Sequence, residues 1–348
     1  MKIGCSSRAL ASVCALCAAG LLTLAPAAAS ARTESSPGPS GSSGHAGPSG
    51  PSGPSETVRA TPPPSLLYRS GTQVRPRAGA PLPPRVSALS WLVADADSGQ
   101  VLASYEAHRK LPPASTLKTL FALTLLPTLP AGVPHTVSAR ELSGIGAGSS
   151  LVGVAEGRTY RIADLWRGVF LSSGNDAVRV LASLNGGWRA TADRMQDKAR
   201  ALGALDTRVM SPDGYDTPGQ VSSAFDLAVF GRAGLRNADF ARYSSTASAQ
   251  FPGGGGLSFG IRNTNRLLTG ADGLAPYPGA IGVKNGYTSA AGNTLVAAAR
   301  RGGRTLVVTV LNPQAGGGLA VYEEAGRLLD WGVRRGGRGR ARGVRWTV

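Results

Sequence analysis

The chain has 348 residues, 42% of them hydrophobic, and a formal charge of +17, which allows one or two domains with a buried core. Its three cysteines, Cys5, Cys14 and Cys17, all precede residue 20, so a chain processed after them has no disulfide, thiol nucleophile or cysteine-ligated metal. Histidine is limited to His45, His108 and His135, too few and too scattered for a zinc peptidase, and no metal or other cofactor is expected.

The charge is carried mostly by arginine, with lysine only at positions 2, 110, 118, 198 and 284. No nucleic-acid motif or aromatic–basic interleaving accompanies it, so no nucleic-acid partner is expected and attraction to an anionic cell envelope is the simpler account.

Residues 1–31 read as an export signal, with Lys2 and Arg8 before an uncharged run from Ala9 that ends in Ala27-Ala28-Ala29-Ser30-Ala31. Cleavage after Ala29 or Ala31 fits the small-residue rule, and an uncleaved run is long enough to anchor the chain. The expected location is extracytoplasmic, secreted or envelope-associated. Residues 32–85 are dominated by Pro, Ser and Gly, with three Gly-Pro-Ser triplets from Gly47 to Ser55, and read as a disordered tether.

The folded domain is expected over residues 86–333. Ser90–Asp95 and Val101–Tyr105, joined at Asp97-Ser98-Gly99, read as a β-hairpin. Next comes Pro112-Pro113-Ala114-Ser115-Thr116-Leu117-Lys118 and an apolar run. A double proline suits the approach to a helix, which is predicted to start near Ala114. Positions three apart share a helix face, so Ser115 and Lys118 are neighbours. A serine hydroxyl attacks only when a base takes its proton, and lysine serves as that base only with a lowered pKa. Arginine, used almost everywhere else, could not deprotonate. A triad would have to use His108 or His135, both read as loop or turn residues.

From about Ala139 to Gly270 the pattern is mostly helical, interrupted by glycine-rich loops such as Gly253–Gly256. Ala280–Lys284, Asn293–Ala299 and Thr305–Leu311 read as strands and Ala320–Gly332 as a closing helix. Strands at both ends around a helical middle predict an α+β fold, one antiparallel sheet flanked by helices with an inserted helical lobe. Residues 334–348 carry six arginines and read as a disordered basic tail attracted to the envelope.

Ser115-x-x-Lys118 is followed by Ser173-Gly174-Asn175 and by Lys284-Asn285-Gly286. That ordered set resembles the active-site motifs of penicillin-binding proteins and serine β-lactamases. The flanking text, including Asp95-Ala96-Asp97-Ser98-Gly99, Ser211-Pro212-Asp213-Gly214 and Asn263-Thr264-Asn265-Arg266-Leu267-Leu268, resembles the D-alanyl-D-alanine carboxypeptidases, the low-molecular-mass penicillin-binding proteins of peptidase family S11.

The resemblance covers about residues 86–333. It implies a β-lactamase/DD-peptidase-like fold, a peptidoglycan stem peptide as substrate and β-lactams as covalent inhibitors. It also implies roles. Ser115 is the nucleophile and Lys118 its base, with Lys284 lowering the Lys118 pKa by repulsion. Ser173 relays a proton to the leaving D-alanine, and Asn175 orients Lys118 and the substrate backbone. Lys284 and Asn285 bind the terminal carboxylate, while the backbone N–H groups of Ser115 and Tyr287, beside Gly286, form the oxyanion hole. The third motif departs from its usual Thr or Ser by carrying Asn285, whose amide donates from a longer arm. A second β-domain, present in some members, is expected to be absent.

Two other readings stay open. A β-lactamase of class A requires a deacylating glutamate between the second and third motifs, and no glutamate occurs from Asn175 to Lys284. A non-catalytic envelope protein that keeps the fold is disfavoured by the intact Ser115–Lys118 pair.

Overall fold

The computed structural model describes residues 65–75 and 79–335. The expected export signal, most of the tether and the tail from residue 336 lie outside the described residues.

In chain order the elements are β1 (Thr72–Val74), β2 (Ala88–Asp95), β3 (Val101–Tyr105), α1 (Lys118–Leu125), β4 (Pro134–Thr136), β5 (Thr159–Arg161), α2 (Ile162–Leu171), α3 (Asn175–Leu184), α4 (Trp188–Ala201), α5 (Ala224–Leu235), α6 (Ala238–Ser244), β6 (Ser248–Pro252), β7 (Ser258–Arg262), α7 (Arg266–Thr269), β8 (Ala280–Thr288), β9 (Gly292–Arg301), β10 (Arg304–Pro313) and α8 (Ala320–Arg334).

Among the described residues β1-β3-β2-β10-β9-β8 form one antiparallel sheet. The two chain ends meet at β10, which pairs with β2 on one side and β9 on the other. Its run Thr305–Leu311 is buried at every position and mostly apolar because both faces are covered. On one face α8 packs Val321, Leu328 and Trp331 against Val93, Leu295 and Val308. On the other, Leu227 and Phe230 of α5 and Leu120 and Phe121 of α1 join the helical lobe in a second core with Val296 and Val307.

The expected tether does not extend to residue 85. Leu66–Tyr68 forms a 3-10 turn, and β1 pairs along the edge of β3. Leu67 is buried, Tyr68 stacks on His108 with ring centroids 3.8 Å apart, and the Trp331 indole donates to the Pro81 carbonyl. A few apolar anchors tie this stretch down, which its Pro/Ser/Gly-rich composition hid.

The middle of the chain also holds more strand than its helical pattern suggested. β4 pairs with β5, and Gly253–Gly256 lies in the turn of a β6–β7 hairpin. These strands have three to five residues each, too short for an alternating pattern to register.

Candidate active site

Ser115 does not open an α-helix. Ala114, at φ +49°, turns the chain into a 3-10 turn over Ala114–Leu117, and α1 begins only at Lys118. In a 3-10 turn residues three apart eclipse one another more closely than in an α-helix. Lys118 Nζ accordingly donates to Ser115 Oγ at 2.8 Å, while Ser115 itself is only half-buried. A reachable hydroxyl thus faces a hidden amine.

Lys118 is 1% exposed and donates a second hydrogen bond to the Asp213 carbonyl at 2.7 Å. Burial pushes its pKa down to about 8, with the Asp213 and Asp176 carboxylates pulling the other way. Burial drives the Lys284 pKa well down too, and the charge on Lys118 adds to that. The two ammonium charges repel one another, so a proton on either amine disfavours a proton on the other, and burial lowers both pKa values.

The Asp213 carbonyl was not singled out in the sequence, although its Ser-Pro-Asp-Gly stretch was part of the resemblance. Ser211 Oγ and the Tyr215 N–H both donate to the Asp213 carboxylate, at 2.8 and 3.0 Å. The Gln220 side chain accepts from the N–H groups of Met210 and Ser211. These bonds fix the loop whose carbonyl fixes Lys118.

The second motif bridges α2 and α3. Ser173 adopts φ +56° and buries its Oγ without a hydrogen-bond partner among the described residues, and Asn175 Oδ1 is likewise unpartnered. Such strain and unsatisfied polarity concentrate at functional sites. Asn175 Nδ2 donates to Ser149 Oγ at 3.0 Å, a contact that no sequence pattern announced.

Asp176, the next residue, accepts from the backbone N–H groups of Val152, Gly153 and Val154 at 2.8–3.1 Å. It therefore holds the 149–154 segment against the N-terminus of α3, where a carboxylate is also favoured by the helix dipole. Asp176→Ala is expected to lower stability by about 3 kcal/mol, because buried N–H donors lose a charged acceptor. A thermal melt unchanged from wild type would refute that role.

The third motif lies on β8, the sheet edge. Strand alternation puts Lys284 and Gly286 on the face that looks at the nucleophile turn. Lys284 is 1% exposed and its Nζ donates to the Asn285 carbonyl at 2.8 Å. A Cβ on Gly286 would lie 2.6 Å from the Ser115 nitrogen, so the bare glycine leaves that N–H uncovered. Asn285 pairs with Leu295, whose side chain faces α8, and the Thr264 hydroxyl holds its Oδ1 at 2.9 Å. Its amide is thus not aimed at Ser115, as the alternation of a strand requires. Tyr287 is 67% exposed, outside the cleft floor.

The structure therefore brings Ser115, Lys118 and the Lys284–Gly286 edge together, with Asp176, the neighbour of Asn175, near enough to act on Lys118. His108 and His135 instead pair with Asp206 and Glu141.

Comparisons with known proteins agree with this arrangement. Residues 77–315 match the Peptidase_S11 family model, described as D-alanyl-D-alanine carboxypeptidase. The chain is 42% identical over 262 residues to D-alanyl-D-alanine carboxypeptidase DacB2 of Mycobacterium tuberculosis, covering 74% of this chain and 86% of that protein. It is 33% identical to DacD of Escherichia coli, covering 73% of this chain and 65% of that protein, just under two thirds of its length. A crystal structure of D-alanyl-D-alanine carboxypeptidase from M. tuberculosis H37Rv superposes with a TM-score of 0.68 at 41% identity, covering 75% of this chain and 96% of that one. The S96A mutant of the Streptomyces K15 DD-transpeptidase superposes at 0.66 and 25% identity, covering 72% of this chain and 98% of that one. With these motifs, this geometry and a family match over most of its length, the chain belongs to the D-alanyl-D-alanine carboxypeptidase family, peptidase S11.

Proposed function

We propose that the chain is a serine-type D-alanyl-D-alanine carboxypeptidase that removes the terminal D-alanine of peptidoglycan stem peptides through an acyl-enzyme on Ser115. The observation that carries this reading is the 2.8 Å contact between the half-buried Ser115 hydroxyl and the fully buried Lys118 amine, whose pKa is pushed down to about 8.

Burial pushes both lysines toward their neutral forms, and a charge on one disfavours a charge on the other. When the carboxylate of a stem peptide settles beside Lys284, it stabilises the ammonium there. Repulsion then keeps Lys118 neutral, and Lys118 takes the Ser115 proton as the hydroxyl attacks the carbonyl between the two D-alanines. The uncovered Ser115 N–H and that of Tyr287 receive the oxyanion, each such donor worth about 3 kcal/mol. Ser173 passes a proton to the leaving D-alanine, and Asn175 aligns Lys118 and the peptide backbone. Water then releases the acyl group. β-Lactams enter the same cleft and acylate the same hydroxyl.

The absence of glutamate from Asn175 to Lys284 favours this reading over a β-lactamase, because such an adduct lacks the residue that speeds its hydrolysis. The amino-terminal signal pattern and the arginine-rich tail support an exported, envelope-associated enzyme held near anionic polymers.

The test is intact-mass spectrometry with benzylpenicillin, peptide mapping of the adduct, and assay of D-alanine release from a pentapeptide. One adduct on the Ser115 peptide together with D-alanine release is the expected result. Rapid nitrocefin turnover without D-alanine release would overturn it.

A further inference from the structure

The third motif carries Asn285 where a hydroxyl residue is usual, and its amide is expected to donate in the hydroxyl's place. The structure ties it to Thr264 and, through Thr264, to Tyr322 and Arg266. Tyr322 OH, on α8, donates to the Thr264 carbonyl at 3.2 Å, an atom that only accepts. Arg266 also donates to that phenol oxygen at 3.3 Å. With its proton spent on Thr264, that phenol can meet a nearby amide only as an acceptor. The Asn285 oxygen faces Thr264, whose hydroxyl donates to it at 2.9 Å. The polarity of the Asn285 amide is thereby dictated, although side-chain amides are otherwise free to flip.

Thr264 is exposed, yet it is held on every side. Its N–H donates to the carbonyl of Leu171, two residues before Ser173. Flanking it, Asn263 accepts from the Asn265 N–H and donates to the Thr246 carbonyl. Asn265 accepts from the Leu267 N–H. Both asparagines are buried. Thr264 thereby ties the segment ahead of the second motif to the third.

We infer that Thr264 is a positioning residue for carboxylate recognition: with Tyr322 it locks the Asn285 amide so that its remaining N–H, never its oxygen, is offered to the substrate carboxylate at the sheet edge. Thr264 thus makes an oriented amide stand in for a side-chain hydroxyl. This inference rests on the proposed D-alanyl-D-alanine carboxypeptidase activity and goes beyond it by assigning a residue outside the three motifs.

The test compares wild type with Thr264→Val, an isosteric change at an exposed site, on a D-Ala-D-Ala peptide and on the same peptide with a carboxamide end. Losing the lock should raise KM for the carboxylate peptide about tenfold, the scale of one charge-assisted hydrogen bond, with kcat within twofold. KM for the carboxamide peptide should not move. Placing Asn285→Thr in the Thr264→Val background should restore KM, because a hydroxyl needs no amide lock. The inference is overturned if KM is unchanged, or if both peptides lose equally. D-alanine release by wild type is measured first, so that failure of the proposed activity is separate. Acylation by benzylpenicillin against its methyl ester gives the same comparison without peptide turnover.

Discussion

Lys118→Ala is expected to slow acylation of Ser115 by benzylpenicillin roughly a thousandfold, within the usual range for a lost general base. Lys118→Arg should fare no better, since guanidinium stays charged at any pH the fold survives. The hydrogen bonds to Ser115 Oγ and the Asp213 carbonyl are lost with the amine, so a thermal melt accompanies the rate. Acylation at the wild-type rate in either variant would remove lysine from the mechanism.

The same amine predicts a dependence on pH whose sign differs between ligands. Burial lowers the Lys118 pKa to about 8 and the Lys284 pKa well below its usual value, and the two charges repel one another. A ligand without a carboxylate needs only neutral Lys118, so its acylation rate should rise as pH passes 8. A carboxylate ligand needs neutral Lys118 and charged Lys284 together, a state that exists only while the pair holds one proton. Its rate should therefore fall as pH passes 8. Parallel slopes for benzylpenicillin and its methyl ester would show that the lysines do not share a proton.

Gly214→Ala should be comparably damaging, although residue 214 touches neither proton nor substrate in the proposed reaction. Gly214 has φ +81°, and a Cβ there would sit 2.0 Å from the Ala114 carbonyl oxygen and 3.2 Å from the Ser115 nitrogen. The obstacle is backbone on both sides, so neither can swing away. The nucleophile turn and the Asp213 carbonyl would have to part, which moves Lys118. Stability should drop by about 3 kcal/mol from strain and overlap. Acylation should fall roughly a hundredfold from misplacement alone. Folded Gly214→Ala that acylates normally would show that this close approach is not needed.

How far the chain could be read depended on how local each feature is. The β2–β3 hairpin, the three last strands and α8 were legible because turn residues and long apolar runs mark them within a few positions. The strands β8–β10 are longer than their apolar cores suggested, since pairing continues past the buried stretch. β1 was missed because its three residues are strand only through the β3 edge they join. The 3-10 turn at Ser115 was missed for a similar reason, as the positive φ of Ala114 is fixed by what packs around it.

The amino-acid order alone determined which side chains could do the chemistry: one serine three residues before a lysine in an arginine-dominated chain, then the two later motifs. Hydroxyl, amine and spacing are covalent facts, legible without a fold. Only the tertiary structure decided that burial sets the Lys118 pKa, that Asp213 lends a carbonyl, and that Thr264 governs Asn285. Desolvation and hydrogen-bond direction depend on neighbours up to 95 positions away along the chain, and no local pattern records them.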